Sequence, residues 1–379
     1  MLDRIGDIVR SVRGRAQQSI ADVAQRSGVP AEVLEALERG MAGITTTQLS
    51  AVAEALTLDA VALLDGREVA RPVPSVFLRH GATQDFDDRD AAVLDAALEQ
   101  GRALAALRAM LRQPPLALQA GLFLPQDAAA DREDAPAQDG YRLAREVHHW
   151  RQTPGDPIAD MRAFVEELIG AVVLVRDLSS SKVTAASVRA ESAAAIVLSA
   201  ADPLRTLNPL LDRVYLAHEL CHVLFDPLRG GLHIVIDAIE DRKVDVAEKR
   251  ARAFAAELLI PSAGLTAVIG PPLQITETGR ALELVQRARS HFGTPHEIAA
   301  NHLCNHGYID RRLRQWLGSE KTPFSGAPAT TLPPSGAPSL TLSELVAAAH
   351  RETVVTDAEA RAILGIDRLA PLPWEGAEP

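Results

Sequence analysis

Two histidines four residues apart, His218 and His222, with Glu219 beside the first, are the residues in this chain best suited to chemistry. They lie in Leu216–Asp226 and read H-E-x-x-H. On a helix, residues i and i+4 share a face, so both imidazoles can aim at one metal ion. Glu219 would then sit close enough to a metal-bound water to take its proton. Two neutral imidazoles, a nearby carboxylate and an open coordination position make a hydrolytic zinc site. The same pattern also suits a core or surface helix with two incidental histidines. A third ligand has to decide between these readings.

The flanks predict the helix the motif needs. Asn208-Pro209 offers an N-cap and a proline at the first helical position. Leu210, Leu211, Val214, Leu216, Ala217, Leu220, Val223 and Leu224 supply apolar faces, and Asp226-Pro227 stops the run. The metzincin spacing would put glycine at 225 and histidine at 228, where the chain has Phe225 and Leu228, so that class is excluded. The downstream candidates for a third ligand are His233, Glu240, Asp241, Asp245 and Glu248. Glu248 opens an amphipathic helix that runs to Pro261, and a carboxylate at its N-terminal end can point toward the first helix.

His218-Glu219-Leu220-Cys221-His222 is followed by E-x-x-A-x-x-F-A-x-x-L-L-x-P, which begins at Glu248 and includes Phe254, Leu258 and Leu259. Together these motifs resemble the ImmA/IrrE zinc metallopeptidases over roughly residues 141–317. The resemblance implies that His218, His222 and Glu248 hold Zn2+ and that Glu219 is the catalytic base. Glu240 or Asp241 remains an alternative at thermolysin-like spacing. The chain departs from the family pattern at Cys221, usually glycine, and at Arg252, usually asparagine. Neither change removes a ligand.

Composition narrows the class. The chain has 379 residues, enough for two or three domains, and a net charge of −11, which argues against a basic coat for nucleic acid. Its two cysteines, Cys221 and Cys304, cannot form a disulfide framework, which fits a reducing cytoplasm. Charges through residues 1–15 exclude a signal peptide, and no apolar run approaches a membrane span.

Residues 1–66 read as short helices. A stripe of Ile5, Ile8, Val9 and Val12 precedes a helix capped by Ser19. A Ser27-Gly28-Val29-Pro30 turn leads to a helix over 31–39, and further helices follow at 46–56 and 59–64. This segment, with its Glu38-Arg39-Gly40 ending, resembles the Xre/Cro-type helix-turn-helix family. In such folds the second helix reads bases in the major groove. Here its first turns carry Ala31, Glu32 and Glu35, and the segment has six Arg against nine Asp and Glu. Arg13, Arg15 and Arg39 are the candidate phosphate contacts. The expectation is weak DNA binding, or a helical module that docks onto protein.

The rest of the chain reads as supporting structure. Residues 66–75 form a proline-containing linker, and 88–112 a long amphipathic helix serving as a spacer or a homodimer element. Residues 127–139 are acidic and mobile. A helix spans 141–151, and a second, capped by Asp156-Pro157, runs to Ile169. Strands at 171–176 and 193–199 flank a turn at 179–182. An edge strand beside the zinc helix would hold a substrate chain by strand addition. His148 and His149 are adjacent and cannot face one metal. His291, His296, His302, Cys304 and His306 read as a packing unit rather than a second metal site. Cys221 reads as a small buried residue, with a regulatory thiol as the alternative. Residues 322–340 form a flexible linker, followed by two short capped helices.

The expected fold is α+β and mostly helical. A helix-turn-helix bundle occupies 1–66, a linker with a long helix 67–140, a zincin-like peptidase domain with a small sheet 141–317, and a tail 318–379. The expected function is a zinc-dependent metalloendopeptidase whose substrate is a partner transcriptional repressor, in a stress, phage or mobile-element response. The alternative is a DNA-binding regulator whose zinc domain senses a ligand or partner without proteolysis.

Overall fold

A computed structural model of the chain describes residues 2–15, 19–41, 44–56, 58, 63, 88–114, 116, 135–152, 154–178, 183–190, 193–226, 233–238, 246–318 and 330–375. The expected linkers at 66–75 and 322–329, the turn at 179–182 and the acidic stretch at 127–134 lie outside the described residues, as does nearly all of the helix expected at 59–64. The chain divides into two compact units, Met1–Ser75 and Val76–Pro379. Among the described residues no single helix is long and apolar enough to cross a membrane.

The first unit holds α1 (Leu2–Arg15), α2 (Ile20–Ser27), α3 (Ala31–Glu38) and α4 (Thr46–Ala55). Ser19 opens α2 with a reciprocal capping box to Asp22, and Gly28 ends it in the left-handed conformation, φ 66°. Ile5, Val9, Val23, Leu34, Leu37, Leu49 and Val52 form its core. Arg13 grips Glu38 through two hydrogen bonds, Nε to Oε1 at 2.6 Å and Nη2 to Oε2 at 2.8 Å, which lock α1 to α3. Arg39 is exposed and bonds to Glu35 on its own helix. The Arg15 side chain lies outside the described residues.

The second unit is α+β and mostly helical, built around a four-stranded sheet of order β1-β3-β2-β4. The strands are β1 (Ala171–Arg176), β2 (Val183–Ala190), β3 (Ala193–Ser199) and β4 (His233–Ala238). β1 pairs parallel with β3, while β2 pairs antiparallel with β3 and β4. The side-chain period of a strand is two, and here both faces are apolar. Ala171, Val173, Ile196 and Leu198 enter one core, and Val172, Leu174, Ala195 and Val197 the other.

The first core is covered by α6 (Pro136–Arg151), α9 (Leu211–Phe225), α10 (Val246–Leu259), α12 (Thr278–Phe292) and α13 (His296–Asn305). Between α6 and α9 lie α7 (Met161–Ala163) and α8 (Pro203–Leu207); α11 (Ser262–Ile269) follows α10 and α14 (Arg311–Leu317) follows α13. α6 and α10 approach so closely that a Cβ on Gly140 would lie 2.3 Å from the Arg250 carbonyl oxygen.

The second core is covered by α5 (Asp88–Met110), α15 (Leu340–Arg351) and α16 (Asp357–Leu364). This corrects the reading of α5 as a spacer or dimer element. Leu94, Leu98, Leu104 and Leu107 are buried in this core, and each contributes on the order of 1.5–3 kcal/mol by leaving water. A Cβ on Gly101 would meet the Ala194 oxygen at 2.7 Å, so only glycine lets α5 lie this close to β3.

Other boundaries also differ from expectation. α6 starts at Pro136, since proline suits a first helical turn. Asp160, rather than Asp156, caps the next helix, which passes after α7 into a π-helical segment at Phe164–Ile169. That wider winding accompanies a buried Glu166, which accepts hydrogen bonds from Val173 N at 2.9 Å and Ser339 Oγ at 2.6 Å. The described end of the C-terminal linker is therefore tied down, and Gly336 N also donates to the Val175 carbonyl at 3.0 Å.

Candidate metal centre

α9 delivers the H-E-x-x-H residues into the first core. It begins at Leu211, later than expected, because the Asn208 side chain accepts the Leu210 N–H at 3.2 Å and forms a turn there instead of a cap. Its C-terminal end is stabilised by the buried Arg189 of β2, whose Nη1 donates to the carbonyls of Val223 at 2.6 Å and Leu224 at 3.2 Å. A cation there also complements the negative end of the helix dipole.

α10 crosses this helix and brings Glu248 to the two histidines. His218 Nε2 lies 3.2 Å from Glu248 Oε2, His222 Nε2 lies 3.3 Å from Glu248 Oε1, and the two Nε2 atoms are 3.2 Å apart. A tetrahedral ion with ligand bonds of 2.0–2.1 Å has ligand-to-ligand edges of about 3.3–3.4 Å. The two imidazole nitrogens stand at such an edge, each has one oxygen of the same carboxylate at a similar distance, and the donor set fits a small divalent ion. His222 and Glu219 are fully buried, whereas His218 and Glu248 keep a little exposure. Of the other third-ligand candidates, Glu240, Asp241 and Asp245 lie outside the described residues, as does the His233 side chain.

The electrostatics also favour a cation. Burial raises the Glu248 carboxyl, but His218 and His222 outweigh it and hold the group well below the usual carboxylate range. Burial lowers the His222 imidazole, yet Asp226 and Glu248 push it up to about 9. A site that attracts a proton this strongly attracts a metal ion for the same reason.

Asp226 is the residue sequence reasoning missed here, having been read only as a helix stop. Its Oδ2 lies 2.9 Å from His222 Nδ1, and its Oδ1 accepts a hydrogen bond from the buried Arg250. A carboxylate on the far nitrogen fixes the imidazole tautomer, leaves Nε2 to face the metal, and raises its basicity. The available signal was the i+4 spacing from His222. Asp226→Asn keeps the shape and loses the charge. It is expected to weaken metal affinity by ~10–100-fold in a chelator competition, with the fold unchanged by circular dichroism. Unchanged affinity would remove Asp226 from the site.

Cys221 is buried between these groups, and burial pushes its thiol up to about 12. That is an inert, protonated thiol, in keeping with a packing residue. Arg252 is exposed on α10 and does not join the cluster. His148 is held by the Leu258 carbonyl at 2.8 Å, a packing role. His302 and His306, expected only to pack, gather around Glu257 in a second cluster that is taken up below.

Residues 167–304 match the family model described as the IrrE N-terminal-like domain, Peptidase_M78, a little over a third of the chain. No curated protein matches the chain, and no solved structure does. The matched span contains all four strands, α9 and α10, and with them His218, Glu219, His222 and Glu248. The match to a family of generally metal-dependent peptidases, over a domain that gathers His and Glu donors at metal-binding distance, supports the ImmA/IrrE family and a metallopeptidase reading.

Proposed function

We propose that the chain is a zinc-dependent metalloendopeptidase in which His218, His222 and Glu248 hold Zn2+ and Glu219 is the general base. The reading rests on one observation. Two imidazole nitrogens 3.2 Å apart and a carboxylate with one oxygen near each converge from two helices, with a buried carboxylate next in sequence to the first histidine. A site that only held metal for stability would have no use for that carboxylate. Zinc, when bound, supplies Lewis acidity toward the attacking water and the scissile carbonyl.

The chain's own residues do the rest. A Glu219 oxygen accepts a proton from the water as its oxygen bonds to the carbonyl carbon. Glu219 then gives that proton to the amide nitrogen as the C–N bond breaks. The Asp226–Arg250 pair holds His222 in register throughout. Among the described residues β4 pairs on one side only, with β2. The other edge of β4 would take an extended substrate segment as a further strand.

The substrate is proposed to be a partner transcriptional repressor, cut to release genes for a stress, phage or mobile-element response. The first unit would bring the peptidase to it. Arg13 is committed to Glu38, which leaves Arg39 as the described candidate for a phosphate contact and favours docking over strong DNA binding. The test is co-expression with repressors encoded beside the gene, with and without a chelator. A cut band that disappears with the metal is expected. Intact repressors beside zinc-loaded protein would favour the alternative, a regulator that senses a ligand or partner without cutting.

A further inference from the structure

Glu257 sits on the same helix as Glu248, nine residues further on. Nine residues are about two and a half turns and ~13.5 Å along the axis, so the two carboxylates leave α10 on opposite faces. Each meets a pair of histidines spaced i, i+4. For Glu257 the pair is His302 and His306, presented by α13 and its C-terminal turn. Glu257 Oε2 lies 3.4 Å from His302 Nε2 and 3.3 Å from His306 Nε2. These are again the edges expected around a four-coordinate ion.

The three atoms are buried and face one another as ion pairs at 3.3–3.4 Å, without the alignment of a good hydrogen bond. Buried polar atoms whose hydrogen-bonding capacity is poorly met are costly and rare. Three of them converging on one point call for an occupant that satisfies all three at once. The other carboxylate oxygen of Glu257 is already held, accepting from Ser262 Oγ at 2.7 Å and Ser262 N at 3.2 Å, which aims Oε2 at the imidazoles. The Tyr141 ring packs edge-on against His302, centroids 5.7 Å apart, and lies 5.5 Å from His306. Tyr141 Oη in turn accepts from Asn305 Nδ2 at 2.8 Å.

We propose that Glu257, His302 and His306 form a second metal site, distinct from that of His218, His222 and Glu248. Two imidazoles and one carboxylate select a divalent first-row transition ion, zinc above all, over calcium or magnesium. No residue corresponding to Glu219 adjoins the pair in sequence, since Leu303 follows His302. The ion is structural: it clamps the end of α13 onto α10 and so fixes the helix that carries Glu248.

The test uses the full-length protein, stripped with a chelator, reloaded with Zn2+ and assayed for bound metal. Wild type should retain about two ions per chain, His306→Gln about one, and the double variant His218→Gln, His222→Gln about one. His306 is partly exposed, so its replacement should fold. An unchanged count in His306→Gln would overturn the second site whatever the double variant does. A count that falls in His306→Gln but not in the double variant would keep the second site and sink the first. Co2+ loading of the double variant gives an independent readout. Visible absorption of a four-coordinate nitrogen and oxygen site supports the proposal, and no cobalt uptake overturns it.

Discussion

Glu219→Gln should lower peptide cleavage by ~10²–10⁴-fold while leaving the bound metal and the melting temperature unchanged. The amide has nearly the volume of the carboxylate, so the packing of a fully buried side chain is kept. What it loses is a site that can accept a proton from the attacking water and later return it to the leaving nitrogen. Metal content separates this from a ligand defect, because His218, His222 and Glu248 are untouched. A Glu219→Gln enzyme that cuts at the wild-type rate would show that another group moves the proton, and the mechanism above would be wrong.

Glu248→Ala should cost the metal itself. The substitution removes one corner of the triangle and leaves two imidazole nitrogens 3.2 Å apart with no carboxylate opposite them. An ion present at a thousand times its Kd stabilises the folded state by about 4.1 kcal/mol. For a domain of this size that corresponds to roughly 8–16 °C of melting temperature. Zinc-loaded Glu248→Ala should hold one ion fewer per chain than zinc-loaded wild type and melt lower by this amount, and wild type in chelator should fall at least as far. Glu240→Ala and Asp241→Ala should behave as wild type. Full retention of metal by Glu248→Ala would move the third ligand elsewhere in the chain.

The helix of the candidate metal centre was legible because its spacing and its chemistry point the same way. His218 and His222 share a face, and the apolar residues around them demand burial. Glu248 stood among several candidate carboxylates, and the resemblance rather than the helix pattern singled it out. β1 and β3 fall at the expected residues because each is a short apolar run. β2 was missed because Val183–Ala190 contains Thr184, Ser187, Arg189 and several alanines, a weak strand signal. It is a strand because it is paired along both edges, and pairing is not written locally. α5 shows the same limit. Its leucines announce a buried face, but periodicity does not say against what. Glu257 was invisible as a ligand because its histidines come from another helix 45 residues away or more, and an isolated carboxylate in an apolar run looks like a solvated residue.

The sheet's second cover has a consequence for how this molecule is made. Glu166, at the entrance to β1, is closed over by Ser339, 173 positions later in the chain. Until α15 and α16 have been synthesised, the strands present an apolar surface on the side away from His218 and His222 that α5 alone must shelter. Long-range closure of this kind slows folding and prolongs the exposure of sticky intermediates. A recombinant fragment cut to the matched span would carry that exposed surface permanently. It should aggregate even with every metal ligand in place, so attempts to isolate the peptidase domain need α5 and the C-terminal helices.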